Sequence, residues 1–452
     1  MTRSISHPQQ PENTTDTACY SCYKAANASQ TGTCDMTTEL CHFPPTGDAS
    51  RPISLGLLAL LLCGVAATAQ PWMRAHAPLP SGNWNCVAVS TNANIVVVAI
   101  GGGTLSGPVC LSTNSGKDWN LTSAPVTVWA AVASSADGSQ LVAAEGGTFL
   151  SGHIYLSTNW GATWTPTSAP FTNWFSLASS ADGTKLVAAA GGNCSSGPIY
   201  VSADSGATWT MTSAPVTNWI SVVSSSDGSN LAAGSVFSGI YLSRDSGATW
   251  SSTQPGSGWW WSLASSENGR KLVAAAPAGP VYISSDSGAT WSLTGVPSPY
   301  GGGTSVASSA DGTHLVATVS VGSRYLDAIY TSTDSGMTWR TNDVSGYYST
   351  GGGWRAVASS ADGSKLVAVV CVGDIYTWQL APILSMRLTN DSTTISWPAV
   401  SAAAGCLLEQ ACDLSMTNWT DILTPTTFVT NGQCQVILPR SADRQFYRLK
   451  RM

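Results

Sequence analysis

The sequence predicts an all-β protein: a seven-bladed β-propeller closed by its N-terminal strand, plus a small C-terminal β-sandwich. Three observations predict it: a phrase that recurs seven times, four strand-like segments in each copy, and an unusual composition. The chain has 452 residues with 44 Gly, 19 Trp and 10% charged residues, where an average soluble domain has roughly 25%. The net charge of -6 argues against a nucleic-acid binder, which would want a basic patch, and the Trp content argues against disorder.

The N-terminal region predicts a leader and a targeting signal. Residues 1–50 are polar, and of their four cysteines only Cys19 and Cys22 have the spacing of a zinc-binding pair, so we expect a disordered or mis-started leader rather than a metal module. Residues 51–69 begin with Arg51, continue as an apolar run and end in small residues, which is typical of a signal peptide cleaved before Gln70. The run is short of the ~20 residues of a transmembrane helix. We therefore expect no membrane span after cleavage, and a secreted, periplasmic or cell-surface protein of bacterial type.

A repeated phrase occupies residues 70–382. Its clearest form is Trp174-Phe-Ser-Leu-Ala-Ser-Ser-Ala-Asp-Gly183, and seven copies are spaced 45, 45, 45, 41, 43 and 51 residues apart. The first position of the copies holds Trp84, Trp129, Trp174, Trp219, Trp260, Gly303 and Trp354. A typical copy shows period-two alternation, an Asp-Gly or Asn-Gly turn and three further short strands, and a unit of this length is typical of a propeller blade.

A second phrase, Ser-x-Asp-x-Gly-x-Thr-Trp, follows in six of the copies. Its polar side chains can bond turn amides, and its Gly can take a positive φ. The full pattern is kept at the turns of Asp204, Asp245, Asp286 and Asp334, whereas Asn114 and Asn159 stand in the first two copies. The phrase resembles the Asp box of the bacterial neuraminidase repeat. That repeat occurs in sialidases, xyloglucan-cleaving hydrolases, sortilin-type receptors and photosystem II assembly factors, so the resemblance implies a propeller without selecting a function.

The two ends of the repeat region predict how the ring closes. The seventh copy stops at Trp378 without an Asp box or a fourth strand, and Trp72-Met-Arg-Ala-His-Ala-Pro78 keeps the spacing of a fourth strand. The N-terminal strand should therefore complete the last blade and remove an open sheet edge. Residues 383–452 lose the repeat and alternate in short segments, which predicts a separate β module. It is similar to C-terminal modules that end in Phe-Tyr-Arg-Leu in secreted bacterial proteins, whose role is adhesion or sorting.

The strand order assigns two faces to the ring. We call the face with the Asp-Gly turns and Asp boxes the turn face, and the opposite one the loop face. The six Trp residues at the first repeat position begin the innermost strands, so we expect them to circle the channel on the loop face. Such a ring of indoles could bind a sugar or a peptide. The alternative is that each Trp packs between adjacent blades.

Catalytic candidates are few, because most propeller acids belong to turns. Glu145 and Asp327, with Arg324 and Arg355, are the charged loop-face residues that a glycoside hydrolase could use. Inverting hydrolysis needs two carboxyls roughly 6.5–9.5 Å apart, and Glu145 and Asp327 belong to opposite blades. The resemblance to sialidases implies an early Arg-Ile-Pro phrase, which the propeller lacks. Scattered His residues and missing Asp-rich loops predict neither metal nor cofactor.

These observations favour an exported, non-catalytic binding or adhesion propeller that recognises a glycan or a protein partner at the cell envelope. A glycoside hydrolase is the alternative. An assembly factor for a membrane complex is a further one, implied by the resemblance to photosystem assembly propellers.

Overall fold

The computed structural model describes residues 72–379 apart from several loops, together with the strands of the C-terminal region. The loops left out are 76–78, 80–82, 103–104, 148–149, 193–194, 254–258, 277–279, 297–303, 320–327, 343–352 and 372. The expected leader, residues 1–50, and the expected signal peptide, residues 51–69, lie outside the described residues.

Within the described residues the propeller consists of seven antiparallel sheets of four strands each. The first three blades are β2 (Trp84–Val89), β3 (Val96–Ile100), β4 (Val109–Ser112) and β5 (Asn120–Leu121); β6 (Trp129–Ser134), β7 (Leu141–Glu145), β8 (Ile154–Ser157) and β9 (Thr165–Pro166); and β10 (Trp174–Ser179), β11 (Leu186–Ala190), β12 (Ile199–Ser202) and β13 (Thr210–Met211). The next two are β14 (Trp219–Ser224), β15 (Leu231–Ser235), β16 (Ile240–Ser243) and β17 (Ser251–Thr253); and β18 (Ser262–Ser265), β19 (Leu272–Ala275), β20 (Val281–Ser284) and β21 (Ser292–Leu293). The last two are β22 (Thr304–Ser308), β23 (Leu315–Val319), β24 (Ala328–Ser332) and β25 (Arg340–Asn342); and β26 (Trp354–Ser359), β27 (Lys365–Val370), β28 (Ile375–Gln379) and the first strand of the chain, β1 (Met73–Ala75).

The second strand of each blade forms much of the core. Every residue of β3, β11 and β23 is buried, because neighbouring blades cover both faces of the sheet. Such strands are continuous apolar runs rather than alternating ones. The core is therefore divided into apolar layers between adjacent blades, as in the cluster that joins Val97 and Val109 of the first blade to Trp129 and Val132 of the second.

The N-terminal strand completes the seventh blade, as predicted. β1 pairs with β28 in the register Met73↔Thr377, Arg74↔Tyr376 and Ala75↔Ile375. The Arg74 guanidinium also donates to the Asp374 carboxylate, with Nε and Oδ2 2.8 Å apart. The two ends of the repeat region are thus held in one sheet.

A circle of main-chain hydrogen bonds closes the ring at the turn face. One residue from each inner turn, Asn92-Ala93 in the first blade and Asp-Gly or Asn-Gly in the other six, donates its N–H to the carbonyl of its counterpart in the next blade, over N–O distances of 2.7–2.8 Å. The order of donors is Thr91, Ala136, Ala181, Ser226, Glu267, Ala310 and Ala361, and Ala361 donates back to Thr91. We call this circle the turn-face ring.

The C-terminal region forms two small antiparallel sheets in the described residues. One has the order β29 (Ser385–Leu388), β30 (Ser392–Pro398), β34 (Gln433–Pro439) and β33 (Phe428–Thr430); the other has the order β32 (Thr420–Asp421), β31 (Cys406–Ala411) and β35 (Phe446–Arg451). Ile395, Leu408 and Val436 are buried. No helix in the described part of the chain is long and apolar enough to cross a membrane.

Candidate functional site

The six inner Trp residues, expected as ligand-binding groups, are buried. Trp84, Trp129, Trp174, Trp219, Trp260 and Trp354 expose between 0% and 6% of their surface. Each packs on the preceding blade, as Trp219 does against Val187 and Ile199. Trp129 also donates its indole N–H to the Gly107 carbonyl at 3.0 Å. The structure therefore agrees with the packing alternative, and the loop face presents none of these six indoles to a ligand.

The Asp boxes form compact turns next to the inner turns. In the third blade Ser202 donates to Asp204 at 2.8 Å, Asp204 accepts the Thr208 N–H at 2.8 Å, and the Gly206 N–H donates to Ser202 at 2.8 Å. Asp245, Asp286 and Asp334 make the same bonds. Gly206 has a φ of 85°, as its place in the turn predicts, and the preceding Ser205 also has a positive φ of 58°.

The central channel holds a cavity of about 400 Å³ on the loop-face side. Its wall is formed by the residues that directly follow the first repeat position, among them Asn85, Phe175, Ile220, Trp261 and Arg355. In five blades a β-bulge lies at this point, as between Trp84 and Cys86. Bulges re-aim side chains, and here they bring the residue after the inner Trp to the channel.

The two sides of this cavity differ in chemistry. Phe175, Ile220 and Trp261, from the third to the fifth blade, give an apolar side. Arg355 and Asn85, from the seventh and first blades, give a polar side, where Arg355 Nε donates to Asn85 Oδ1 at 2.8 Å. Cys86 lies on the same side, and burial raises the pKa of its thiol to about 12, although the Arg355 charge acts in the opposite direction.

The alternative catalytic residues do not come together in the described structure. The Glu145 carboxylate accepts a hydrogen bond from the Thr127 hydroxyl and one from the His153 N–H at 3.2 Å, and it does not line the cavity. Arg355 does line it. Asp327 and Arg324 lie outside the described residues, so their position relative to Glu145 stays a prediction.

Apart from Arg355, sequence reasoning missed the cavity residues, although a signal for them exists. The position after the inner Trp changes its residue type from blade to blade, in the order Asn85, Ala130, Phe175, Ile220, Trp261, Thr304 and Arg355. Neighbouring positions repeat Ser, Ala or Val in most copies. A position that varies while its neighbours repeat is not explained by duplication of a folding unit.

The loop face also exposes apolar side chains around the channel. We call Val126, Phe171, Val216, Phe237 and Trp259 the loop-face patch; each exposes between 51% and 70% of its surface. Phe237 and Trp259 contact each other with ring centroids 5.9 Å apart. Within the described residues no group of three His, Cys, Asp or Glu side chains is placed to hold a metal ion.

By its fold and this cavity the protein is a seven-bladed propeller with an amphipathic cavity on the loop-face side of its channel. No protein-family model and no curated protein matches the sequence. Among solved structures the chain is similar to YCF48 from Cyanidioschyzon merolae, with 16% identity and a TM-score of 0.52 over 68% of this chain and 98% of that one. YCF48 bound to D1 peptide is similar at 13% identity, with a TM-score of 0.52 over 68% of this chain and 97% of that one.

A GH74 xyloglucanase from Xanthomonas campestris is similar as well. Its identity is 15% and its TM-score 0.53, over 72% of this chain and 59% of the xyloglucanase. This chain thus spans little more than half of that enzyme. At such identities these likenesses establish the propeller fold alone.

Proposed function

We propose that the chain is an exported, non-catalytic binding propeller that holds a segment of a protein partner on its loop face. One observation carries the proposal: the amphipathic channel cavity opens on the face that bears the loop-face patch. Exposed apolar surface on one face can mark an interaction site, and exposed aromatic residues such as the contacting pair Phe237 and Trp259 are typical anchors of protein interfaces.

The cavity wall supports binding better than hydrolysis. None of its described lining residues is Asp, Glu or His, and glycoside hydrolysis needs a pair of carboxyl groups at the scissile bond. The hydrolase alternative therefore depends on Asp327 and Arg324, outside the described part of the chain, for its second carboxyl group and one of its arginines. A partner within a membrane complex, which the resemblance to photosystem assembly factors implies, is one form of the proposal, and the structure of YCF48 with D1 peptide shows a similar fold holding a peptide.

Two parallel screens test this function. A phage-displayed peptide library and an array of sialosides and xyloglucan oligosaccharides are presented to the chain starting at Gln70, and release of sugar products is measured in the same samples. We expect enriched peptides and neither retained nor cleaved sugars. A retained glycan would replace the protein partner by a sugar, and released product would restore the hydrolase alternative.

Matched variants show whether the loop face is responsible. Phe237→Ala combined with Trp259→Ala should weaken peptide binding roughly tenfold or more, because a buried aromatic anchor contributes about 2 kcal/mol at an interface. The control is Trp160→Ser, which removes an exposed Trp from the turn face, where most other boxes carry Ser. Equal losses in both variants would contradict the loop face as the site.

Export is the remaining part of the proposal, and it rests on residues 51–69. Expression of the full chain in a bacterial host should deliver a protein whose N-terminus is Gln70 outside the cytoplasm. Retention of an uncleaved chain in the cytoplasm would contradict export and leave the binding proposal unaffected.

A further inference from the structure

A set of serine residues joins neighbouring blades next to the channel. In four blades the second residue after the first repeat position is a Ser whose hydroxyl accepts a main-chain N–H from the next blade. The pairs are Ser176 with Val222 at 2.9 Å, Ser221 with Leu263 at 3.1 Å, Ser262 with Val306 at 3.1 Å, and Ser305 with Val357 at 3.2 Å. A hydroxyl that accepts in this way still has its own hydrogen to donate.

The other three blades lack this serine. Ala356, Cys86 and Ala131 stand at its place in the seventh, first and second blades. The serine acceptor is therefore missing for the corresponding N–H groups, which belong to Val87, Val132 and Leu177. Val132 and Leu177 line the cavity, whereas their counterparts bonded by serine do not. Val132 and Leu177 thus carry N–H groups without a serine acceptor on adjacent parts of the cavity wall.

Arg355 adds a positive charge beside these donors. Its Nε bond to Asn85 Oδ1 is continued by Asn85 Nδ2, which donates to the Trp129 and Ala130 carbonyls at 2.9 and 3.2 Å. This chain of bonds reaches from Arg355 in the seventh blade to the main chain of Trp129 and Ala130 in the second, which directly precede Ala131 and Val132. It also engages both ends of the Asn85 amide and uses Nε of Arg355, so the Nη groups are the guanidinium donors that remain for a ligand.

The stretch of the cavity wall from Arg355 in the seventh blade to Leu177 in the third consequently presents donors. A carboxylate is acceptor-only and fits such a wall. A sugar hydroxyl fits less well, because its hydrogen also needs an acceptor. Phe175, Ile220 and Trp261, from the third to the fifth blade, adjoin this stretch with apolar surface that carries no charge.

We propose that the cavity is a carboxylate-binding subsite, in which Arg355 and the N–H groups of Val132 and Leu177 hold a peptide carboxylate while an adjacent apolar side chain packs on Phe175, Ile220 and Trp261. This inference rests on the proposed function, since it names the part of a protein partner that enters the channel. Two sources share the chemistry, a chain-terminal carboxylate and an Asp or Glu side chain.

The test uses small defined probes and the folded chain starting at Gln70. N-acetyl-leucine and N-acetyl-phenylalanine represent the terminal carboxylate, N-acetyl-aspartyl-leucine amide represents the side-chain carboxylate, and the neutral amide of each amino acid is the matched probe. Titration is followed by protein NMR or calorimetry. We expect the carboxylates to bind at least tenfold more tightly than the amides, and the stronger carboxylate class identifies the source. Equal binding of acids and amides would overturn the subsite.

Variants assign the binding to the named groups. Arg355→Gln should weaken the acid probes at least tenfold and leave the amides unchanged, and Arg244→Gln, on the exposed turn face, is the matched control. Cys86→Ser combined with Ala131→Ser introduces the serine that four other blades already carry, so the fold should persist with an equal or higher melting temperature. Acid binding should fall at least tenfold, because the two N–H groups then have protein acceptors. Unchanged acid binding in this folded double variant would refute the role of the amides.

The outcomes of this test and of the peptide screen are separable. Binding of the acid probes through Arg355 would support the subsite even if the library yields no peptide. In that case only the proposal of a protein partner would be contradicted. Enriched peptides whose affinity is indifferent to Arg355→Gln and to removal of their carboxylates would leave the loop-face function standing and overturn this inference.

Discussion

Trp129 shows why a large apolar residue occupies the first repeat position. Its indole fills the layer between two blades, contacts Tyr155 edge-on with ring centroids 5.6 Å apart, and exposes 0% of its surface. Its main chain passes so close to Gly101 that a Cβ at Gly101 would collide with the Trp129 carbonyl oxygen. The Gly-Gly-Gly segment that begins at Gly101 therefore starts with a residue required by blade packing.

Replacing one inner Trp should be costly. Trp219→Ala should reduce the free energy of unfolding by about 3–5 kcal/mol, the usual range for truncating a buried aromatic residue. Denaturant unfolding measures it. Trp160→Ser, which removes an exposed indole, should change stability by less than about 0.5 kcal/mol. Similar losses in the two variants would contradict the packing role of Trp219.

At the scale of the element, the Asp box is a turn whose conformation is held by the carboxylate of its Asp. The Thr249 hydroxyl and N–H and the Ser243 hydroxyl hold the pKa of Asp245 at about 2, and equivalent bonds do the same for Asp286 and Asp334. Asn159 in the second blade keeps this geometry, because its Oδ1 accepts the Thr163 N–H and its Nδ2 donates to the Thr163 hydroxyl. Asn is therefore a natural substitute within the same fold.

The Asp boxes should make the stability of the fold depend on pH in the acidic range. Because the folded pKa values lie below the unfolded value of about 3.9, the contribution of these acids is present above about pH 4 and is lost as the pH falls toward 2. The melting temperature should therefore drop between pH 4 and pH 2. The triple variant of Asp245→Asn, Asp286→Asn and Asp334→Asn should remain folded at pH 7 with a smaller drop. An identical acid dependence would show that other carboxylates determine it.

What the sequence could predict also depends on the element. The blades and the boxes were predictable because they are repeated. The closing strand was predictable because a fourth strand is missing from the last copy of the repeat. The cavity wall was not, because strict alternation fixes a side chain's face only while the strand is regular. The bulge after Trp84 adds Asn85 to the strand without a partner in β3. The same irregularity occurs at Phe175 and Arg355, so alternation does not predict which face their side chains take. The two cavity donors, the N–H groups of Val132 and Leu177, are main-chain groups, and residue types do not reveal them.

At the scale of the whole molecule, stability depends on closure. Trp72, directly before β1, exposes 1% of its surface and contacts Trp354 and Trp378, with ring centroids 6.2 and 6.4 Å away. Arg74 bonds Asp374 from a side chain that is 58% exposed. Apolar packing rather than the ion pair should therefore hold the closing strand, since exposed ion pairs contribute about 0–1 kcal/mol.

This difference can be measured on two neighbouring residues. Trp72→Ala should lower the free energy of unfolding by about 3–5 kcal/mol, and Arg74→Ala by less than about 1 kcal/mol. In hydrogen exchange, Trp72→Ala should also speed exchange of the Ala361 amide, which donates to the Thr91 carbonyl and so joins the seventh blade to the first in the turn-face ring. A larger loss in Arg74→Ala would reverse the assignment.

The short antiparallel pairing of β1 with β28 has a mechanical consequence. The chain enters β1 at Met73 and leaves β28 at Gln379, and these points lie at the same end of the pair, since Met73 is opposite Thr377. Tension applied through the two ends of the propeller would therefore load the three residue pairs one after another, as in a zipper, instead of all together in shear. A load applied through a ligand in the channel would be shared among the inner strands of several blades. The molecule should thus resist a pull from its partner better than a pull along its own chain.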